Sequence, residues 1–132
     1  MADSALDLLS AVQAVLKANG SLTAIVGTKV YGAPPANPSY PYVLITCQSE
    51  PFAAQDIEGM KHTLRVQGFA REGKPATALA IRKIVFAALN RQEVVLNVPG
   101  LIMIEHDGLA DCFPEQDGKT YQSIIEFSVT IQ

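Results

Sequence analysis

Tyr31-Gly32-Ala33-Pro34-Pro35-Ala36-Asn37-Pro38-Ser39-Tyr40-Pro41-Tyr42-Val43-Leu44-Ile45 is the joint of the chain. Four prolines fall between Gly32 and Pro41, and each fixes its own φ and pushes the residue before it towards an extended backbone. The segment is expected to be stiff, non-helical and without ladder hydrogen bonds of its own. It runs into Tyr42-Val43-Leu44-Ile45, an aromatic and β-branched run with the composition of a buried strand. Helical spacing precedes the joint and strand spacing follows it.

Upstream, Ser4–Ala18 reads as a helix. Ser4 can cap it, Asp3 and Asp7 suit its positive end, and Ala5, Leu8, Leu9, Val12, Val15 and Leu16 share one face. Gly20 is expected to stop it in a left-handed conformation. Ser21–Gly27 reads as a second, short helix with a serine cap and a glycine stop, and Thr28–Tyr31 as a short extended piece.

Downstream, Val43, Ile45 and Cys47 alternate with Leu44, Thr46 and Gln48, the pattern of a strand covered on both faces near its start. Pro51–Gly59 is polar and acidic and reads as a long hairpin tip. Met60–Arg71 is the return strand, with His62, Leu64, Val66, Gly68 and Ala70 on one face. Pro75 opens the main helix near its first position; Ile81, Ile84, Val85, Ala88 and Leu89 form its core stripe, widened by Leu79 and Phe86. Glu93–Val98 reads as a short strand ended by Pro99-Gly100. Leu101–Phe113 is extended, and Gly108 interrupts its alternation as a bulge or bend does. Pro114–Lys119, with Asp117-Gly118 inside it, reads as a second long turn. Thr120–Gln132 is the clearest strand: Tyr121, Ser123, Ile125, Phe127, Val129 and Ile131 face one way, with Ile124 an apolar exception on the polar face. The fold class is α+β, an antiparallel β-sheet with a long N-terminal helix and a second main helix packed on one face.

At 132 residues, 48% apolar and 17% charged, the chain can bury a real core as one domain spanning residues 1–132. Its net charge of -3 and its scattered basic residues, with Arg82-Lys83 the only adjacent pair, argue against a partner held through nucleic-acid phosphates. No apolar run approaches the roughly 18 residues of a membrane span. Met1-Ala2-Asp3-Ser4 lacks a basic leader region. Cys47 and Cys112 are therefore expected to be reduced thiols in a protein that is cytoplasmic where it is made.

Catalytic signals are thin. His62 and His106 are isolated in sequence, and no glycine-rich phosphate loop or nucleophile elbow occurs. A Cys47–His106 dyad is conceivable. Glu105, Asp107 and Asp111 alternate along one strand as hard-cation ligands can, though a solvated strand has the same pattern. A small enzyme built on either feature would need two of these groups to converge in one pocket. No cofactor is indicated. The two tips are long for so short a chain, Phe69 and Ile124 stand as apolar residues on polar faces, and a sheet leaves edges to cover. These features favour a homo-oligomer.

Several pieces occur in an order that resembles one family. They are the apolar N-terminal helix, Leu22-Thr23-Ala24-Ile25-Val26-Gly27-Thr28-Lys29-Val30-Tyr31, Ala33-Pro34, Tyr40-Pro41-Tyr42-Val43, the main helix opening at Pro75-Ala76-Thr77-Ala78, and Asp117-Gly118-Lys119-Thr120-Tyr121. This resembles the tail completion, or tail terminator, proteins of long-tailed bacteriophages, prophages and gene transfer agents, over nearly the whole chain. The insert Ala36-Asn37-Pro38 departs from the pattern. The resemblance implies a non-enzymatic protein that forms a homo-hexameric ring on the head-proximal end of the tail tube. Such a ring stops tube polymerisation and offers a docking surface to the head–tail connector. Its partners are then itself, the tail-tube protein and the connector protein, with DNA only in transit through an acidic lumen and no membrane. It is made in the host cytoplasm and ends in the virion tail. A head–tail connector, a tail-tube subunit and a generic oligomeric adaptor are the competing readings. Loop geometry nominates Phe52, Gln55, Asp56 and Glu58 on the first tip, and Glu115 and Lys119 on the second, as subunit-interface residues.

Overall fold

The computed structural model describes residues 4–54 and 57–132. Helices α1 (Ala5–Ala18) and α2 (Gly20–Val26) lead into strand β1 (Val30–Tyr31) and the proline segment, in which the Tyr40–Pro41 peptide is cis. Strands β2 (Tyr42–Ala54) and β3 (Ile57–Arg71), helices α3 (Ala76–Leu89) and α4 (Glu93–Leu96), and strands β4 (Leu101–Pro114) and β5 (Thr120–Ile131) follow. The five strands form one sheet in the order β1-β2-β3-β5-β4. All neighbours are antiparallel except β1, which runs parallel to β2 through Val30↔Val43 and Tyr31↔Leu44. The sheet is thus α+β with a short parallel margin.

One face of the sheet carries the helices. Ile45, Leu64, Val66, Ile125, Phe127, Val129 and Ile131 point from the strands into a core that Leu8, Val12 and Leu16 of α1 and Ile81, Val85 and Leu89 of α3 fill from above. This is the burial that the strand and helix spacings require, and nonpolar area removed from water is its main driving force. α3 lies close to β3: a Cβ at Gly68 would stand 2.7 Å from Ile81 Cγ2 and 2.9 Å from Ser123 Oγ. The other face is largely polar and carries a second cluster, Tyr42, Leu44 and Phe69, packed with Tyr31 and Tyr40. Phe69 and Ile124 are buried, so neither is a free apolar contact.

Five local expectations are overturned. Ser4 makes no capping bond to α1; its Oγ lies 2.9 Å from His62 Nε2, because a fully buried imidazole needs partners. Gly20 does not stop α1: Asn19 ends it and caps α2, accepting the N–H of Leu22 at 3.0 Å. Glu93–Val98 is not a strand but contains the helical turn α4, closed by Asn97 in the left-handed region. The backbone there has no strand to join, and Glu93 instead accepts the N–H of Ile104 at 3.0 Å along the margin of β4.

Pro51–Gly59 is not a long loop either: the β2–β3 ladder continues to Ala54↔Ile57. Pro51 is tolerated because β1 covers β2 only at Val43 and Leu44, which leaves Pro51 on an outer edge. The fifth expectation, a long Pro114–Lys119 tip, collapses into a tight turn wound on Asp117. Its Oδ1 accepts the N–H groups of Lys119 (2.9 Å) and Thr120 (2.7 Å), and its Oδ2 accepts the Thr120 hydroxyl (2.6 Å).

Candidate functional site

Strand length sets the outline of the molecule. β5 pairs with β3 only as far as Met60↔Ile131. Beyond that pair, β2 and β3 continue as a two-stranded ribbon, Phe52–Ala54 against Ile57–Gly59. A two-stranded ribbon alone is marginal in water. The base of this one is pinned by close approach: a Cβ at Gly59 would fall 2.8 Å from a carbon of the Phe52 ring and closer still to the carbonyl oxygen of Ile131. Only glycine leaves room for both beside its backbone.

The opposite margin is β4. Its first half is covered from outside. Asn90 Oδ1 accepts the N–H of His106 (2.8 Å), and the Arg91 N–H donates to the carbonyl of Ile104 (2.9 Å). The ladder with β5 then breaks between His106 and Ala110. Gly108 takes φ +98°, and the Glu126 carboxylate fills the gap, accepting the Leu109 N–H (3.0 Å) and pairing with Arg65 (2.9 Å). The Leu109 N–H, with Arg65, lowers the Glu126 pKa and outweighs burial, which raises it. Past this bulge no strand lies outside β4 among the described residues.

Between that margin and α3 runs a groove of about 530 Å³. Leu79, Phe86, His106 and Ala110 line it, with Arg82 and Lys83 along the helix. Phe86, expected in the core stripe, is 41% exposed. The His106 ring stacks edge-on to Phe86 and Phe127, and its Nδ1 donates to the carbonyl of Glu126 at 2.8 Å.

The candidate chemical groups do not converge as a catalytic site requires. Cys47 and His106 stand on β2 and β4 with two strands between them, about 14 Å apart at some 4.8 Å per strand. The histidine beside Cys47 is His62, at 3.6 Å from its Sγ. His62 is fully buried, with Ser49 Oγ 2.7 Å from Nδ1 and Ser4 Oγ 2.9 Å from Nε2. A hydroxyl can donate to one ring nitrogen and accept from the other, so the ring latches the start of α1 to the β2–β3 hairpin. The carboxylates of β4 separate at the bulge: Glu105 lies 4.0 Å from Arg91, and Asp111 Oδ1 accepts the N–H of Cys112. No group of three metal-ligating residues gathers among the described residues.

Of the nominated interface residues, Phe52 and Glu58 sit on the projecting ribbon; Gln55 and Asp56 lie outside the described residues. Glu115 and Lys119 belong to the tight turn instead of a projecting tip, and Glu115 donates its N–H to the carbonyl of Thr120 at 2.8 Å. Beside the turn, Arg71 stacks on Tyr40 at 4.3 Å and donates to its hydroxyl at 3.2 Å. Tyr42 packs against Phe69 with ring centroids 4.8 Å apart. Burial, with the nearby Tyr40 and Glu115, pushes the Tyr42 pKa up to about 12. This aromatic seat holds the proline segment flat on the sheet.

The sheet carries a projecting ribbon at one margin, an open strand at the other and helices on one face. Its distinctive surfaces are strand margins. The family model of tail completion protein gp17 matches residues 10–132, and the chain belongs to that family. Its structure is similar to a chain in the virion of a native gene transfer agent particle, with TM-score 0.82 and 25% identity over 94% of this chain and 93% of that one. No curated protein matches it. The protein is a structural component of a phage-like virion tail.

Proposed function

We propose that the protein caps the head-proximal end of the tail tube as a homo-hexameric ring, ends tube polymerisation there, and presents the surface on which the head–tail connector docks. The observation that carries this reading is the end-to-end likeness to a chain of a gene transfer agent virion, within a family of tail completion proteins. The fold supports it physically. A ring of identical subunits is built from heterologous contacts, in which one patch meets a different patch on the next copy, and this chain offers two different strand margins. The protein is read as non-enzymatic, made in the host cytoplasm and carried in the finished tail. An overall charge of -3 suits a lumen through which DNA passes without adhering.

The reading is tested by polymerising the cognate tail-tube protein with and without this chain. Capping predicts tubes that stop growing and carry added density at one end only. Incorporation along the whole tube would identify a tube subunit instead, and tubes that grow unchanged with no density at either end would refute capping.

A further inference from the structure

We infer that the open half of β4 takes up an extended segment of a partner protein as one more strand, a segment in which carboxylates alternate with apolar side chains. This goes beyond the capping reading and does not depend on it. The backbone shows where a strand can add. Up to His106 the outward groups of β4 are taken: Glu93 and Asn90 accept the N–H groups of Ile104 and His106, and Arg91 donates to the Ile104 carbonyl. Beyond the Gly108 bulge that cover ends. Glu115 donates its N–H to Thr120, and antiparallel pairs alternate between bonded and unbonded. In the register Ala110↔Ile125 and Cys112↔Ser123, the backbone groups of Ala110 and Cys112 therefore face away from β5. Asp111 takes the Cys112 N–H. The Ala110 N–H and both carbonyls face an edge that no further strand closes among the described residues.

The two faces of that edge set the chemistry of the strand that fits. On the helix face, Arg82 and Lys83 stand over Leu79, Phe86 and Ala110, and no carboxylate lines this groove among the described residues. Neither cation is ion-paired among them. Arg82 also reaches the edge itself: burial raises the Cys112 thiol pKa, and the Arg82 charge opposes that rise. Carboxylates on this face of an added strand would meet both cations above an apolar floor, where attraction is less screened than in open water. On the opposite face, Phe113 pairs with Gln122 in the row of Phe69. It is exposed, as is Leu109, whose N–H meets the Glu126 carboxylate on that side. Side chains alternate along a strand, so acidic and apolar residues in turn satisfy both faces at once. The chain's own second open margin, residues 45–53 of β2, holds a single carboxylate, Glu50, directly across from Lys61. A second copy lacks the match, and the occupant is a different protein.

The probe is a peptide with blocked ends, Glu-Val-Glu-Val-Glu-Val-Glu, and its control has Lys in place of every Glu. Each is titrated into the full chain and followed by amide NMR, with hydrogen exchange read at each backbone N–H. The acidic peptide should bind saturably, move the resonances of Ala110 and Arg82, and slow exchange at the Ala110 N–H. The basic peptide should do none of these. Arg82→Glu with Lys83→Glu should weaken the acidic peptide by about tenfold or more and let the basic one bind. Arg82→Gln with Lys83→Gln keeps good helix formers on α3 and should weaken the acidic peptide without recruiting the basic one. Both variants should match the circular dichroism of the parent.

No binding of the acidic peptide, equal binding of both peptides, or binding that leaves exchange at Ala110 unchanged overturns the inference. So does a parent that self-associates and protects the Ala110 N–H with no peptide present, which gives the edge to a second copy instead. None of these outcomes touches capping, which the tube assay reads separately.

Discussion

Replacing Gly68 by alanine probes the contact between α3 and β3 on which the helix layer rests. The new Cβ would stand 2.7 Å from Ile81 Cγ2 and 3.1 Å from Ile81 Cβ. Carbon atoms settle at about 3.5–4.0 Å, so helix and strand must part by roughly 1 Å or Ile81 must leave its rotamer. Overpacking of this kind costs about 1–3 kcal/mol, and the less flexible unfolded chain offsets about 0.4–1 kcal/mol of it. Gly68 is not in the left-handed region, so no backbone strain adds to the sum. Taking the middle of each range, the net loss is about 1.3 kcal/mol, which lowers Tm by roughly 3–8 °C in a domain of this size. Thermal unfolding followed by circular dichroism measures it, alongside Gly68→Ala in an Ile81→Ala background, where the added methyl should cost less because only the Ser123 hydroxyl, 2.9 Å away, still has to shift. An unchanged or raised Tm for the single substitution would refute the close-packing argument.

Gly108→Ala should cost about 1–3 kcal/mol, because φ +98° disfavours any side chain and the Cβ would meet Glu126 Oε1 at 2.7 Å. Its cost should shrink in a Glu126→Ala background, which urea unfolding can read. Asp117→Ala should lower stability near neutral pH but not in acid. Hydrogen bonds from Thr120 and the Lys119 N–H hold the Asp117 carboxyl down at about 2. A group whose folded pKa is depressed contributes stability that is present above the unfolded carboxylate range and lost as pH falls through the folded value. The gap in Tm between parent and variant should therefore be full above about pH 4 and close as the pH approaches 2. A gap independent of pH would contradict the assignment.

The sequence was most legible where local pattern and tertiary need coincide. Tyr121 to Ile131 alternate apart from Ile124, and their register against β3 follows. The proline joint separates helices from strands as its fixed φ angles require. Legibility failed where a partner distant in sequence decides. The Ser4 hydroxyl serves His62, 58 residues away, instead of its own helix. Val94 and Val95 favour extended backbone, yet they lie exposed on a helical turn that Glu93 moors to β4.

The ribbon was hidden for a related reason. Pro51 and Gly59 are loop signals in isolation, but an outer edge accepts the first, and the Phe52 ring and Ile131 carbonyl crowding the backbone require the second. Of the candidate site, Phe52 and Glu58 were legible as hairpin residues. The groove was not, because Leu79 and Phe86 fit the core periodicity of α3; where the sheet stops beneath them depends on a bulge in another strand.

A ring that assembles from this chain and caps a tail tube has a defined mass in solution. Light scattering across concentration, with and without the cognate tail-tube protein, should give a species of six times the protomer mass, alone or recruited by the tube. That species should grow no further. A strict monomer that neither assembles nor binds the tube, or open-ended stacking of this chain by itself, would contradict the account.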